Sequence, residues 1–290
     1  MKLTIRPFED ERDMDLQYAF WESVTADLPY AWKPTLSPIH FKDQKKFDPK
    51  TRCFAFDGDE LVGHMGFTGE GKFVSLGYPW VREGYEGVLQ EEMFERIHGY
   101  AVSSDYGAEM IAQRFRSQWK DQIAFFKSKG FEETGRSPIY GRPVTTNDLP
   151  RDGNDYQVAV ETGFNIETFV SVAEQNDATT EQDLTFYRSY YNSVDFDFAV
   201  ACNLENTTVA YFGVTVRKDT GYSEIIAFTN AQGDSKTFRE GLSEVMRELT
   251  RRGAKEVGIY EASAPEKEDL TDFNFKQITE DVMLMKKVNH

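Results

Sequence analysis

Cysteine is scarce: Cys53 and Cys202 are the two in 290 residues. Two thiols cannot build a disulfide framework, and both stand in apolar, strand-like runs where a buried free thiol is expected. Histidine is nearly as rare, at four. His40, His64 and His98 lack ligand spacing and a partner nucleophile, so neither a metal site nor a His-dependent triad is expected. Long hydrophobic runs are missing, and none reaches the length of a membrane span. The opening "MKLTIRPFEDERDMDL" is charged throughout, where a secretion signal needs an apolar stretch. A cytoplasmic location is the expectation, with Asn206-Thr207-Thr208 a turn, not a glycosylation acceptor. Positive charge is in deficit, 33 Lys and Arg against 49 Asp and Glu, for a net charge of −16. Nucleic acids and anionic membranes reward basic patches, so both are disfavoured as partners.

Aromatic residues are abundant, with 23 Phe and 14 Tyr, and hydrophobic residues make up 40%. That supplies packed cores, and the length suits two domains. The stretch "VTTNDLPRDGNDY", Val144 to Tyr156, is rich in Asn, Asp, Pro and Gly and reads as a connector. Landmarks repeat across it. Phe54 and Phe198 stand 144 residues apart, as do Phe131 and Phe275; Gly66 and Gly213 are 147 apart, Gly107 and Gly253 146. A period this long means duplicated domains, not a solenoid. The expected organisation is a domain over 1–146, a linker over 147–155 and a second domain over 156–290.

Both halves spell one succession of elements. In the first, "LTIRPF" alternates as a strand and "DERDMDLQYAFWESV" reads as a helix. "RCFAFDGDELVGHMGF" is a hairpin turning at Asp57-Gly58. "KFVSLGYPWV" is a further strand, and the next helix lines up Leu89, Met93, Ile97 and Tyr100. "GAEMIAQRF" is a strand, and "SQWKDQIAFFKSK" a helix with Ser117 at its start and Gly130 at its stop. In the second half, three antiparallel strands precede a helix bearing Phe238, Leu242, Met246 and Leu249. "GAKEVGIYE" then forms a strand, and a short helix leads into "NFKQITEDVMLMKK". Each half is therefore expected to be an α/β (α+β) domain, a mixed and mainly antiparallel sheet flanked by helices.

With "FFKSKGFEETG" after the last long helix of the first half, this order resembles the GNAT superfamily of acyl-CoA-dependent N-acyltransferases. Phe125, Phe126, Gly130 and Phe131 fall on its "FYEKLGFEETG" pattern. "NFKQITEDVMLMKK" resembles the same closing segment, with Asn274 at the glycine position; Asn tolerates a left-handed helix end. The resemblance covers both halves and implies two tandem GNAT-like domains.

It also implies a cofactor, acetyl-CoA, held where a loop enters a helix N-terminus and main-chain N–H groups meet the pyrophosphate. In the first half that place is "EGVLQE", where Gly87 can turn but Glu86, Leu89 and Glu91 stand against close approach. In the second it is "QGDSKT": Gln232, Gly233, Ser235, Lys236 and Thr237 are small or polar and include one cation. The alternative for this loop is an ordinary helix entry with Ser235 as cap. The sequence leans towards the second half as cofactor site.

For the chemistry, the resemblance implies a main-chain oxyanion donor on the fourth strand, near Val81 and Ala227. The family's acid is a Tyr at the position of Phe126, and the second half has Leu270 there. Tyr140 and Tyr260 are the candidate substitutes, with packing as the alternative role of each. Glu224 is the candidate base, with a solvated strand residue as its alternative. The implied activity is transfer of an acetyl group from acetyl-CoA to a primary amine of a small molecule or peptide by direct attack. The rival readings are a catalytically silent GNAT-like binding module and a paired-domain acyltransferase with another acyl donor. The acceptor side falls to the first helices of each half, including Trp21, Tyr30 and Trp32.

Overall fold

The computed structural model describes residues 3–26, 47–70, 72–146, 149, 156–192, 194–217 and 220–288. Tyr30, Trp32, His40 and all but one residue of the expected linker lie outside them. The chain forms two units, Met1–Arg136 with Asp281–His290, and Ser137–Glu280.

In unit 1 the sheet grows from β1 (Leu3–Pro7) through β2 (Arg52–Asp57) and β3 (Glu60–Glu70) to β4 (Phe73–Leu76). Gly58 takes φ +62° at the turn between β2 and β3, the left-handed geometry that a tight hairpin asks of glycine. A short β5 (Trp80–Val81) also lies on β3, and β6 (Met110–Arg116) runs parallel to β4. On one face, α2 (Val88–Val102) buries Leu89, Met93, Phe94, Ile97 and Ala101. Beside it α3 (Lys120–Ser128) buries Phe126, giving a core shared with Phe67, Phe115 and Phe131. Each such side chain contributes about 1.5–3 kcal/mol when fully buried. Tyr100, expected on that stripe, sits at its edge with its hydroxyl bonded to Asp48. The opposite face carries α1 (Arg12–Val24), whose Phe20 packs with Phe54 and Leu61.

Unit 2 repeats the plan. Its sheet contains β8 (Gln157–Thr162), β9 (Phe198–Leu204), β10 (Thr207–Val216), β11 (Tyr222–Asn230) and β12 (Glu256–Tyr260). Glu205 and Asn206 both take positive φ in the two-residue turn joining β9 to β10, so the triplet at Asn206 is a hairpin turn. α4 (Ile166–Ala173) and α5 (Glu181–Tyr191) cover one face, with Phe169 and Val172 over Ala199, Tyr211 and Ala227. On the other face α6 (Ser235–Arg251) buries Phe238, Leu242, Val245, Met246 and Leu249, joined by Leu270 of α7 (Lys267–Asp272).

Each unit is closed by a strand from the other half of the sequence. Ile139–Pro143 of β7 (Glu132–Pro143) pairs with β12 inside unit 2. Asp281–Lys287 of β13 (Lys276–Lys287) pairs with β6 inside unit 1. Arg116 of β6 donates to Asp281 at 2.5 Å with both side chains buried, which fixes the register of the incoming strand. The helix stops before β7 and β13 match: Phe131 N donates to Phe126 O and Phe275 N to Leu270 O, while Gly130 and Asn274 take φ +80° and +60°. Asn274 thus does the work of glycine, as its side chain permits. Ser117 does not cap α3; Trp119 precedes that helix without a side-chain cap.

Candidate functional site

In both units two parallel strands start together and then part. In unit 2, Tyr222–Ile225 of β11 lies beside Glu256–Ile259 of β12, and the pairing ends there. β11 continues to Asn230 against β10 alone, and its register slips by one residue: Val214 faces Ile225 but Gly213 faces Ala227. Ile226 is the extra residue of a β-bulge, which turns it and Ala227 to the α4 side together. A bulge leaves main-chain polar groups outside the ladder, and Ala227, the expected oxyanion donor, directly follows this one.

Unit 1 uses the same device. Phe73–Ser75 pairs with Met110–Ala112, after which β4 and β6 separate. Gly77 N still donates to Gly66 O at 2.7 Å, but Trp80 faces His64 and Val81 faces Gly63, a slip of one residue. The run read as one strand, "KFVSLGYPWV", is therefore two strands broken at Tyr78-Pro79. Val81 lies beyond the break, on β5.

The helix entries differ. In unit 2 the cap of α6 is Asp234, not Ser235: its Oδ1 accepts the Thr237 N–H at 2.7 Å and the Thr237 hydroxyl at 2.9 Å. Thr237 is fully buried, so its hydroxyl and N–H are both committed to Asp234. Gln232 donates its N–H to the Asn230 side chain at 3.0 Å, which in turn donates to Asp234 O at 2.7 Å. Gly233 turns at φ +65°, and Ser235 and Lys236 open the helix. A carboxylate already occupies the position where an anion gains most from the helix dipole.

In unit 1 no side chain caps α2. Gly84 and Gly87 turn at φ +89° and +78° into open space, and Val88 at the first helical position is 84% exposed. Gln90 Oε1 accepts the Gly87 N–H at 3.2 Å. The acidic neighbours are engaged: Glu86 accepts the Gly84 N–H at 2.8 Å, and Glu91 pairs with Lys129. The two carboxylates expected to repel phosphate thus have local partners.

Phe126 and Leu270 are both fully buried in the cores. Tyr140, expected in the first domain, belongs to unit 2 because β7 is exchanged. It lies opposite Ile259 in the α6-side core, and Lys267 Nζ sits 5.5 Å from its ring centre. The hydrogen bond from Lys267 to Tyr140, helped by Glu261, raises the lysine pKa. Glu224 lies beside Gly258. Strand alternation puts Glu224, Gly258 and Tyr260 on the face away from α6, because Ile225, Val257 and Ile259 face it. Glu224 and Tyr260 share a face; Tyr140 is on the other.

Tyr78 falls outside every motif of the sequence. It stands at the strand break of unit 1, its ring 6.4 Å from Phe115 and 5.6 Å from Phe125. Gln90 Nε2 donates to its hydroxyl at 2.9 Å. Burial raises its pKa above the usual 10, partly offset by the Gln90 bond. The sequence signal was Gly77-Tyr78-Pro79 inside a strand-like run, since Gly and Pro within a strand mark a bulge.

Among the described residues, no cluster of His, Cys, Asp and Glu could hold a metal ion, and no helix is long and apolar enough to cross a membrane. No family model and no curated protein matches the sequence. Solved structures do match the fold. A tandem GNAT protein from the clavulanic acid biosynthesis pathway superposes with a TM-score of 0.74 at 12% identity, covering 100% of this chain and 99% of its own. A GCN5-related N-acetyltransferase from Sphaerobacter thermophilus gives 0.61 at 14%, covering 99% and 96%. An acetyltransferase of the GNAT family from Colwellia psychrerythraea gives 0.59 at 14%, covering 98% and 100%. With paired bulged strands, a helix entry beside each parting and full-length superposition at this level, the chain has the tandem GNAT fold.

Proposed function

We propose that the protein is an N-acyltransferase that moves an acetyl group from acetyl-CoA to a primary amine of a small molecule or peptide, and that unit 1 seats the cofactor. The observation that carries this reading is the α2 N-terminus, free of any side-chain cap and next to the strand parting. It favours unit 1 over the second half, because Asp234 fills the equivalent position in unit 2.

Main-chain N–H groups of Val88, Leu89 and Gln90 would hold the pyrophosphate, where helix dipole and unbonded N–H groups favour an anion. The strand edge after Ser75, which β6 no longer pairs, would take an extended chain bearing amides. The bound thioester supplies the activated acyl group. The main chain at the Tyr78 break would polarise its carbonyl, and the Tyr78 hydroxyl would give a proton to the departing thiolate. The amine must arrive neutral, since a primary amine with a pKa of about 10 is mostly protonated at neutral pH.

The silent-module reading is favoured by one observation: both positions of the family's acid are buried apolar residues, Phe126 and Leu270. Val88→Glu separates the two. A carboxylate at an exposed first helical position stabilises the helix by about 0.3–1 kcal/mol, yet repels phosphate. Calorimetric titration with CoA should show binding that Val88→Glu weakens tenfold or more, with no loss of thermal stability. No CoA affinity in the unaltered protein would leave the silent module and the acyltransferase with another acyl donor.

A further inference from the structure

Among the described residues of unit 1, Gln17, His64, His98 and Trp119 each hold a buried polar atom with no hydrogen-bond partner, and the first two come from facing elements. Gln17 on α1 is 6% exposed, and its Oε1 is buried without a partner. His64 on β3 has its Nε2 in the same condition.

The row of side chains across the sheet shows how they meet. Arg6 of β1 lies opposite Phe54, Phe54 opposite His64, and His64 opposite Trp80 of β5. The His64 ring packs edge-on to Phe54 at 4.8 Å. α1 crosses this row. At its start Asp13 takes both Arg6 amino groups at 2.7 Å. Nearly two turns on, Phe20 carries the Arg82 guanidinium 5.6 Å from its ring centre, just past β5. Gln17 falls midway on the same buried stripe, so it passes over Phe54 and His64. Neither atom is met by the protein. Leaving buried polar atoms unmet is costly, so the site is suited to a third group.

We propose that Gln17 and His64 form a recognition pair for an uncharged hydrogen-bonding group, a hydroxyl or a carboxamide, on an aromatic-sized amine. Phe20, Phe54 and Trp80 supply apolar walls. A cationic group finds no acid, because Asp13 is closed by Arg6 and by the Glu9 N–H at 2.7 Å. Burial, then the nearby Arg52, lowers the His64 pKa to about 3, against a small opposing effect of Asp13, so the imidazole is neutral and can donate or accept. His64 lies opposite Trp80, two residues past Tyr78, so the pair lies on the α1 face of the strand that follows the break. Its role in choosing the acceptor rests on the acyltransferase reading; its ligand binding does not.

The probes are 2-phenylethylamine and 2-amino-1-phenylethanol, which differ by one hydroxyl, titrated calorimetrically with and without CoA. The alcohol should bind about tenfold tighter or better. Gln17→Leu combined with His64→Leu should abolish that preference while holding or raising Tm, since removing both unmet groups relieves their burial cost. Equal affinities, failure of both amines to bind, or a preference that survives the double substitution would overturn the proposal. Should the double variant not fold, the His64 imidazole 15N resonance of the unaltered protein decides: it must shift with the alcohol and not with the other amine. All readouts are binding, so absence of turnover would sink the acyltransferase reading alone.

Discussion

Asp234 accepts the N–H of Thr237 at 2.7 Å at the start of α6, while Gly87, at the matching place before α2, has no side chain with which to do the same. The duplicated fold therefore has two helix entries that differ in their cap, a carboxylate in one and a bare glycine in the other. Asp234→Ala removes a cap and should cost about 1 kcal/mol of stability, read as a lower urea midpoint. Asp234→Asn keeps the cap without the charge and should leave the midpoint nearly unchanged. Neither should alter CoA affinity if unit 1 is the seat. A tenfold gain in CoA affinity for Asp234→Asn would return the seat to unit 2.

Tyr78→Phe tests the proposed acid. General acid catalysis contributes about 10²–10⁴-fold, so kcat should fall by at least 10² with little change in KM for acetyl-CoA. The proposal needs the protonated phenol, and burial raises its pKa above 10, so rate loss assigned to Tyr78 should begin only above pH 10 in the unaltered protein. A Tyr78→Phe variant with kcat within threefold of the original would reduce Tyr78 to packing against Phe115 and Phe125.

The sequence announced the duplication and most elements, because periodicity, hairpin turns and the helix stops at Gly130 and Asn274 are local properties. It was silent on the exchange of β7 and β13. Both follow the same helix stop and carry similar apolar residues, so either strand satisfies either unit's edge in pattern alone. That is why sequence pattern groups Tyr140 with the first half, although it lies in unit 2. The cap at Asp234 was equally ambiguous beside Ser235, since both residue types cap helices and the choice depends on where the helix starts. Gln17 and His64 carried no signal, because their pairing depends on the angle at which α1 crosses the sheet.

The buried pair Arg116–Asp281 should be the chief anchor of β13 in unit 1. Asp281→Ala leaves a buried guanidinium without its carboxylate and should cost about 3–5 kcal/mol, seen as a large fall in denaturation midpoint. Replacing both partners, Arg116→Met with Asp281→Leu, should recover most of that loss. A single Asp281→Ala variant as stable as the parent would show that the main-chain ladder holds the strand unaided.

His64 should make the protein acid-sensitive well above the carboxylate range. Its pKa is about 3 when folded, against 6.5 ordinarily, because burial disfavours the imidazolium. Below pH 6.5 the unfolded chain therefore binds a proton that the folded chain refuses until about pH 3. Stability from this source is full above pH 6.5 and falls as the pH drops, by up to about 1.4 kcal/mol per unit. His98, also lowered by burial, adds a slope of the same sign. For Asp13, burial pushes the pKa up, but hydrogen bonds from Arg6 and Glu9 outweigh it and hold the group below 3.8, so its loss comes only at lower pH. Urea midpoints at pH 7.5 and 5 should thus converge in His64→Leu, leaving the smaller gap due to His98. An undiminished gap in that variant would mean that His64 gains its proton in the folded protein as readily as in the unfolded chain.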